Sequence, residues 1–145
     1  MNADGTEPRR LARGSWPSWG QDSKCIYYHS RPNKAVCSIA IVDPETKPKQ
    51  IMPCSGFTSF LSVSPDNHHV AYVDGPLLKV KDLATQASIA EWSLPFYTTR
   101  LGGVTWSPSG NELCMGPGSN VGDKIGLWIY HFDSNIFPEI DISCS

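Results

Sequence analysis

WSPSG at residues 106–110 repeats, almost letter for letter, VSPDN at residues 63–67. In each, a hydrophobic residue closes a strand, Ser-Pro follows, and a Ser-Gly or Asp-Asn pair completes a tight turn. Proline presets φ for the second position of a type I turn. Asp66 or Ser109 is placed to accept a backbone hydrogen bond, and Asn67 or Gly110 tolerates the left-handed conformation that the return needs. A more worn copy, WGQDS, stands at residues 19–23. Counted from the first letter, Trp19, Val63 and Trp106 are 44 and 43 residues apart.

The agreement continues past the turn. CIYYH at 25–29, HVAYV at 69–73 and ELCMG at 112–116 each start six residues after the anchor and are rich in strand formers. SIAIVDPET, LLKVKDLAT and GLWIYHFDS then supply a further apolar or alternating run ending in turn residues. Met52-Pro53 and Leu94-Pro95 close the first two units. The second unit divides most clearly, into strands at 57–63, 69–74, 77–82 and 87–93, with Leu78 and Val80, and Ile89 against Glu91, suggesting one face more buried than the other. Val, Ile, Tyr, Trp and Thr dominate, Gly and Pro interrupt every ten residues or so, and no helical spacing is sustained, which disfavours a helix-pair repeat. A period of 40–45 residues with four short strands per unit is the mark of propeller blades. The expected fold is therefore all-β: three four-stranded antiparallel blades of a β-propeller at 15–53, 55–95 and 102–142. A polar mobile tail at 1–14 and a short tail at 143–145 flank them.

Composition fits that expectation. The chain has 145 residues, enough for one compact domain, with 40% apolar and 18% charged residues and 12 each of Gly and Pro. A net charge of −2, without a run of Lys or Arg, speaks against a nucleic-acid partner. Cysteines 25, 37, 54, 114 and 144 show no CxxC pair and no metal spacing, and read as buried or half-buried thiols. Cys25 and Cys37 fall on strands expected to pair, where a cross-strand disulfide is conceivable. The start has no apolar signal region and no stretch of about twenty apolar residues occurs, so the expectation is a cytoplasmic chain without membrane insertion. A longer secreted parent would place it in the periplasm.

These units resemble the WD-like repeats of TolB-type β-propellers, whose blades carry an aromatic-Ser-Pro-Asp-Gly motif before an apolar strand. The matching residues are Trp106, Ser107, Pro108, Ser109 and Gly110, and Val63, Ser64, Pro65, Asp66 and Asn67. In the first unit Trp19 and Asp22 remain while Gly20 and Gln21 replace Ser and Pro. The resemblance spans residues 15–142 and implies a six-bladed ring. Propellers close with roughly four to eight blades, so three units leave two blade faces without a neighbour. Either the chain is a segment of a longer or truncated product, or two copies form a homodimer that completes six blades.

Little in the sequence calls for chemistry. Adjacent strand residues such as His68 and His69 point to opposite faces and cannot share one metal ion. GPGSNVG at 116–122 has the wrong glycine spacing for a phosphate loop and leads into a strand. No G-x-S-x-G elbow supports a hydrolase triad. Asp43 and Asp82 end equivalent strands and read as turn formers, while Trp19, Trp106, Tyr28 and Tyr72 read as blade-packing residues. Trp19, Asp22, Ser64, Pro65, Asp66, Trp106, Ser107, Pro108 and Gly110 are thus structural motif positions, with no catalytic, cofactor or metal residue among them. The expected function is a non-catalytic, TolB-like interaction module for a protein or peptide. Its variable loops at 30–36 and 116–124 are the places to look for specificity. The alternative is an accessory, substrate-filtering propeller of a prolyl-oligopeptidase-like peptidase.

Overall fold

The structure, a computed structural model, describes residues 10–30, 38–42, 47–55, 58–94, 101–117, 127–132 and 140–141. Blade 1 contains β1 (Gly14–Trp19), β2 (Ile26–Ser30), β3 (Ser38–Val42) and β4 (Lys49–Pro53). Blade 2 contains β5 (Thr58–Val63), β6 (His69–Asp74), β7 (Leu77–Asp82) and β8 (Ser88–Ser93), and blade 3 contains β9 (Leu101–Trp106), β10 (Glu112–Pro117), β11 (Trp128–His131) and β12 (Ile140–Asp141). Each blade is an antiparallel meander in chain order, and no helix occurs among the described residues. None of these residues therefore forms a helix long and apolar enough to cross a membrane. The first strands, β1, β5 and β9, are neighbours in space and form the inner wall.

Strand alternation gives each blade two faces, and both faces of blade 2 are apolar. Ala71, Val73, Leu78, Val80 and Trp92 pack against Trp106, Leu113, Met115, Trp128 and Tyr130 of blade 3. On the other side, Val63, Val70 and Tyr72 pack with Met52, and Tyr27 and Ile51 of blade 1 border them. A fully buried Val or Leu contributes about 1.5–3 kcal/mol, so these two seams dominate cohesion. Ile89 and Glu91, two residues apart, share the exposed face of β8, and Ala90 and Trp92 turn inward instead. The strand begins at Ser88, and just before it the Ala87 carbonyl accepts the Asp82 N–H at 3.0 Å across the turn.

Polar bonds tie the seams at the inner wall. The Trp106 indole Nε1–H donates to the Ser62 carbonyl at 3.1 Å, and the Val63 N–H donates to Ser18 Oγ at 3.1 Å. Gln86 Nε2 reaches from the β7–β8 turn to the Ile51 carbonyl at 2.9 Å. Trp106→Phe keeps one aromatic ring but removes the indole N–H and part of the buried ring system, which should cost at least about 1 kcal/mol in urea unfolding; unchanged stability would show that this bond contributes nothing to the seam.

Candidate interaction surface

At one end of the blades, three turns share one backbone pattern despite unlike sequences. Ser64, Ser107 and Gly20 each donate their N–H across the turn, to the carbonyls of His69, Glu112 and Cys25, at 2.9 Å in all three. Asn67, Gly110 and Ser23 close the type I turn onto the carbonyls of Ser64, Ser107 and Gly20 at 3.0 Å, with φ of 60°, 78° and 58°. The Ser64 and Ser107 hydroxyls add a side-chain clamp, accepting the N–H of His69 at 2.9 Å and of Glu112 at 3.1 Å. Gly20 has no such group. There Asp22 Oδ1 accepts the Lys24 N–H at 3.0 Å, as Asp66 Oδ1 accepts that of His68 at 2.9 Å. Asn67 also reaches blade 1, its Oδ1 accepting the Gln21 N–H at 2.8 Å. Pro65 lies against Gly110 of the neighbouring turn, and the Ser107 and Ser109 hydroxyls are 3.0 Å apart. Pro108 occupies in the third turn the position of Pro65 in the second.

The inner wall carries a second repeat that the turn motif does not announce. Aligned on the anchors, the inner strands read SWPSW at 15–19, SFLSV at 59–63 and GGVTW at 102–106. The third residue before each anchor, Trp16, Phe60 or Gly103, has positive φ: 55°, 53° and 141°. In β1 and β5 the register against the next strand shifts at this point. A bulky residue in left-handed backbone costs about 1–2 kcal/mol, and such strain gathers at working surfaces. The rings of Trp16 and Phe60 meet at 4.3 Å between centroids, inclined by 44°. Trp16 remains 40% exposed, whereas Phe60 is half-buried against the blade 2–3 seam. At Gly103 a built Cβ meets nothing within 4 Å. The wall thus offers an aromatic pair followed by an open position, a surface suited to an apolar or aromatic side chain.

Other sequence-derived candidates are distributed differently. His68 is exposed, but His69 is half-buried, its ring 5.4 Å from that of Phe132 and 6.5 Å from that of Trp106 across the seam. The two neighbours thus point to opposite sides, with β6 turning His69 toward blade 3. No group of three His, Cys, Asp or Glu side chains suits a metal ion among the described residues. Asp82 Oδ1 accepts the N–H groups of Ala84 and Thr85 at 2.9 and 2.7 Å, the capping expected of a turn former. Tyr28, Tyr72 and Trp106 are buried, yet Trp19 is 57% exposed, in contrast to the packing role expected of it. Cys25, Cys54 and Cys114 are half-buried. Asp43, Cys37, Cys144, most of loop 30–36 and most of loop 116–124 lie outside the described residues.

The carboxyls of Asp66, Asp74 and Asp82 all sit below their usual range. For Asp66 and Asp74 desolvation is the largest influence and pushes upward. Hydrogen bonds from Ser64 and His68 to Asp66, and from Ser55 and Lys79 to Asp74, together with nearby positive charge, outweigh it. For Asp82 the Thr85 backbone N–H is the main cause. A depressed carboxyl contributes stability that is complete above the unfolded value of about 3.9 and is lost as pH falls through the folded value. The urea midpoint should therefore be flat near neutrality and drop below about pH 4. Asp66→Asn should lower the neutral midpoint and flatten that drop, and an unchanged acid slope would contradict the assignment.

Compared with protein-family models and with curated proteins, the chain matches none. Among solved structures it is similar to TolB from Acinetobacter baumannii, at 20% identity over 90% of this chain and 33% of that one, with a TM-score of 0.69. The β-propeller domain of Cps50 (Swd1) from Myceliophteria thermophila aligns at 11% identity over 93% of this chain and 41% of that one, with a TM-score of 0.63. The β-propeller domain of the Trilobed protease from Pyrococcus furiosus aligns at 18% identity over 91% and 43%, with a TM-score of 0.53. The chain spans between 33% and 43% of the length of these structures. Its fold is that of a TolB-like, WD-like β-propeller, represented here by three blades.

Proposed function

We propose that the chain is a non-catalytic interaction module whose inner wall receives an apolar or aromatic side chain of a protein or peptide partner. The observation that carries this reading is the Trp16–Phe60 pair, two bulky residues kept in left-handed backbone at equivalent bulges with one ring left open to solvent. Strain of this kind persists where the surrounding structure enforces it, and an exposed aromatic platform is a common anchor for binding energy. The motif residues Trp19, Asp22, Ser64, Pro65, Asp66, Trp106, Ser107, Pro108 and Gly110 then serve to set the blades and their turns. The wall is the part that recognises.

A second reading, a substrate-filtering propeller attached to a peptidase, is favoured by the likeness to the protease propeller from Pyrococcus furiosus. A hydrolase domain joined to these blades in the same polypeptide would establish it.

The wall reading is tested by panning a random-peptide display library against the full chain and titrating the selected peptides by tryptophan fluorescence. Selected sequences should carry an aromatic or large apolar residue, and Trp16→Ala should weaken their binding by about tenfold or more while leaving the β-type circular dichroism intact. Peptides that bind wild type and variant equally well would remove the inner wall from the account.

A further inference from the structure

The chain presents, on two separate surfaces, the two halves of a seam that it also shows assembled. Between blades 2 and 3 one half is the far face of blade 2, where Ala71 pairs across strands with Val80, and Val73 with Leu78, all fully buried. The other half belongs to blade 3, with Trp106 at the inner wall only 8% exposed and its Nε1–H on the Ser62 carbonyl.

Blade 3 repeats the first half on its own far side. Cys114 pairs with Ile129 as Ala71 pairs with Val80. No described blade covers this pair: Ile129 is 38% exposed and Leu127, on the same side by alternation, 62%. Where blade 2 has His69 opposite Asp82, blade 3 has Glu112 opposite His131, joined at 3.2 Å at the rim.

Blade 1 repeats the second half. Trp19 stands at the anchor position of Trp106, yet it is the more exposed of the two by far. Its face continues through Tyr28, Ala40 and Val42, which are buried because Leu11 and Ala12 lie over them as a short strap. A groove of about 280 Å³ remains between the strap and Gly14, Pro17, Ile26 and Tyr28. The strap covers the outer part of the face and leaves Trp19 bare.

We infer that the occupant of both surfaces is a second copy of this chain, docked head to tail so that blade 3 of one copy continues into blade 1 of the other. The repeat relation specifies the contacts. Trp19 takes the place of Trp106 and donates its Nε1–H to the Thr105 carbonyl of the second copy, the counterpart of Ser62. Ile129 and Leu127 of that copy replace the strap over Tyr28 and Val42. Each seam joins two unlike surfaces, and two copies close when a two-fold axis relates one seam to the other.

The experiment is the solution mass of the full chain by light scattering and sedimentation over a range of concentrations, with Trp19→Ala and Ile129→Arg as variants. Both side chains are exposed, so both variants should keep the wild-type circular dichroism. Wild type should approach twice the 15.9 kDa monomer mass, and each variant should weaken association by about tenfold or more. A wild type that remains a folded monomer at every concentration would overturn the inference. So would a dimer indifferent to both substitutions. Peptide binding at Trp16 is read separately and does not depend on this outcome.

Discussion

A propeller blade has two faces to keep from water, and it can cover neither by itself. Everything in this chain follows from that constraint. Blade 2 satisfies it on both sides, with β6 and β7 sending Ala71, Val73, Leu78 and Val80 one way and β6 sending Val70 and Tyr72 the other. Among the described residues, blade 3 meets another blade on one side, and blade 1 meets blade 2 on one side and the Leu11–Ala12 strap on part of the other. Hydrophobic burial supplies the attraction at the seams but has no directional preference. Register comes from the Trp106 indole N–H donating to the Ser62 carbonyl, the Val63 N–H to Ser18 Oγ and the Gln21 N–H to Asn67 Oδ1.

The three turns show how one backbone tolerates different side chains. The required features are the paired bonds across the turn and a residue at positive φ four places after the anchor, supplied by Ser23, Asn67 or Gly110. Serine at the turn's first position adds a hydroxyl clamp, and Asp66 organises both Ser64 and His68. In the first turn Asp22 alone makes the equivalent local bond, which is why WGQDS departs from the motif and still folds alike.

Much of the architecture was legible because the determinants are local and periodic. The anchor-to-anchor spacing, the Ser-Pro turns and the strand runs lead directly to three four-stranded antiparallel blades, and Asn67 and Gly110 adopt the left-handed conformation that their residue types tolerate. The inner-wall bulges were harder to see. Gly102-Gly103 hints at positive φ, but a tryptophan before proline and a phenylalanine within a strand do not, because intrinsic preference opposes that conformation and only tertiary contacts impose it. The exposure of Trp19 was hidden for a related reason. Its type and position match those of Trp106, and burial depends on whether another blade stands opposite. Ile89 was misleading because apolar character on an outermost strand does not decide which face the alternation buries.

The resulting picture separates scaffold from surface. Turns and seams hold the blades in register, while the aromatic pair on the inner wall and the outer faces of blades 1 and 3 are the surfaces we propose for contact with partners. The central physical claim is that a blade's stability comes from coverage of both faces. Amide hydrogen exchange of the native chain, resolved by residue, tests it most directly. The account predicts the slowest exchange in β6 and β7 of blade 2, with faster exchange in the corresponding strands β2 and β3, and β10 and β11. Equal protection in all three blades, or the strongest protection in blade 1, would contradict it.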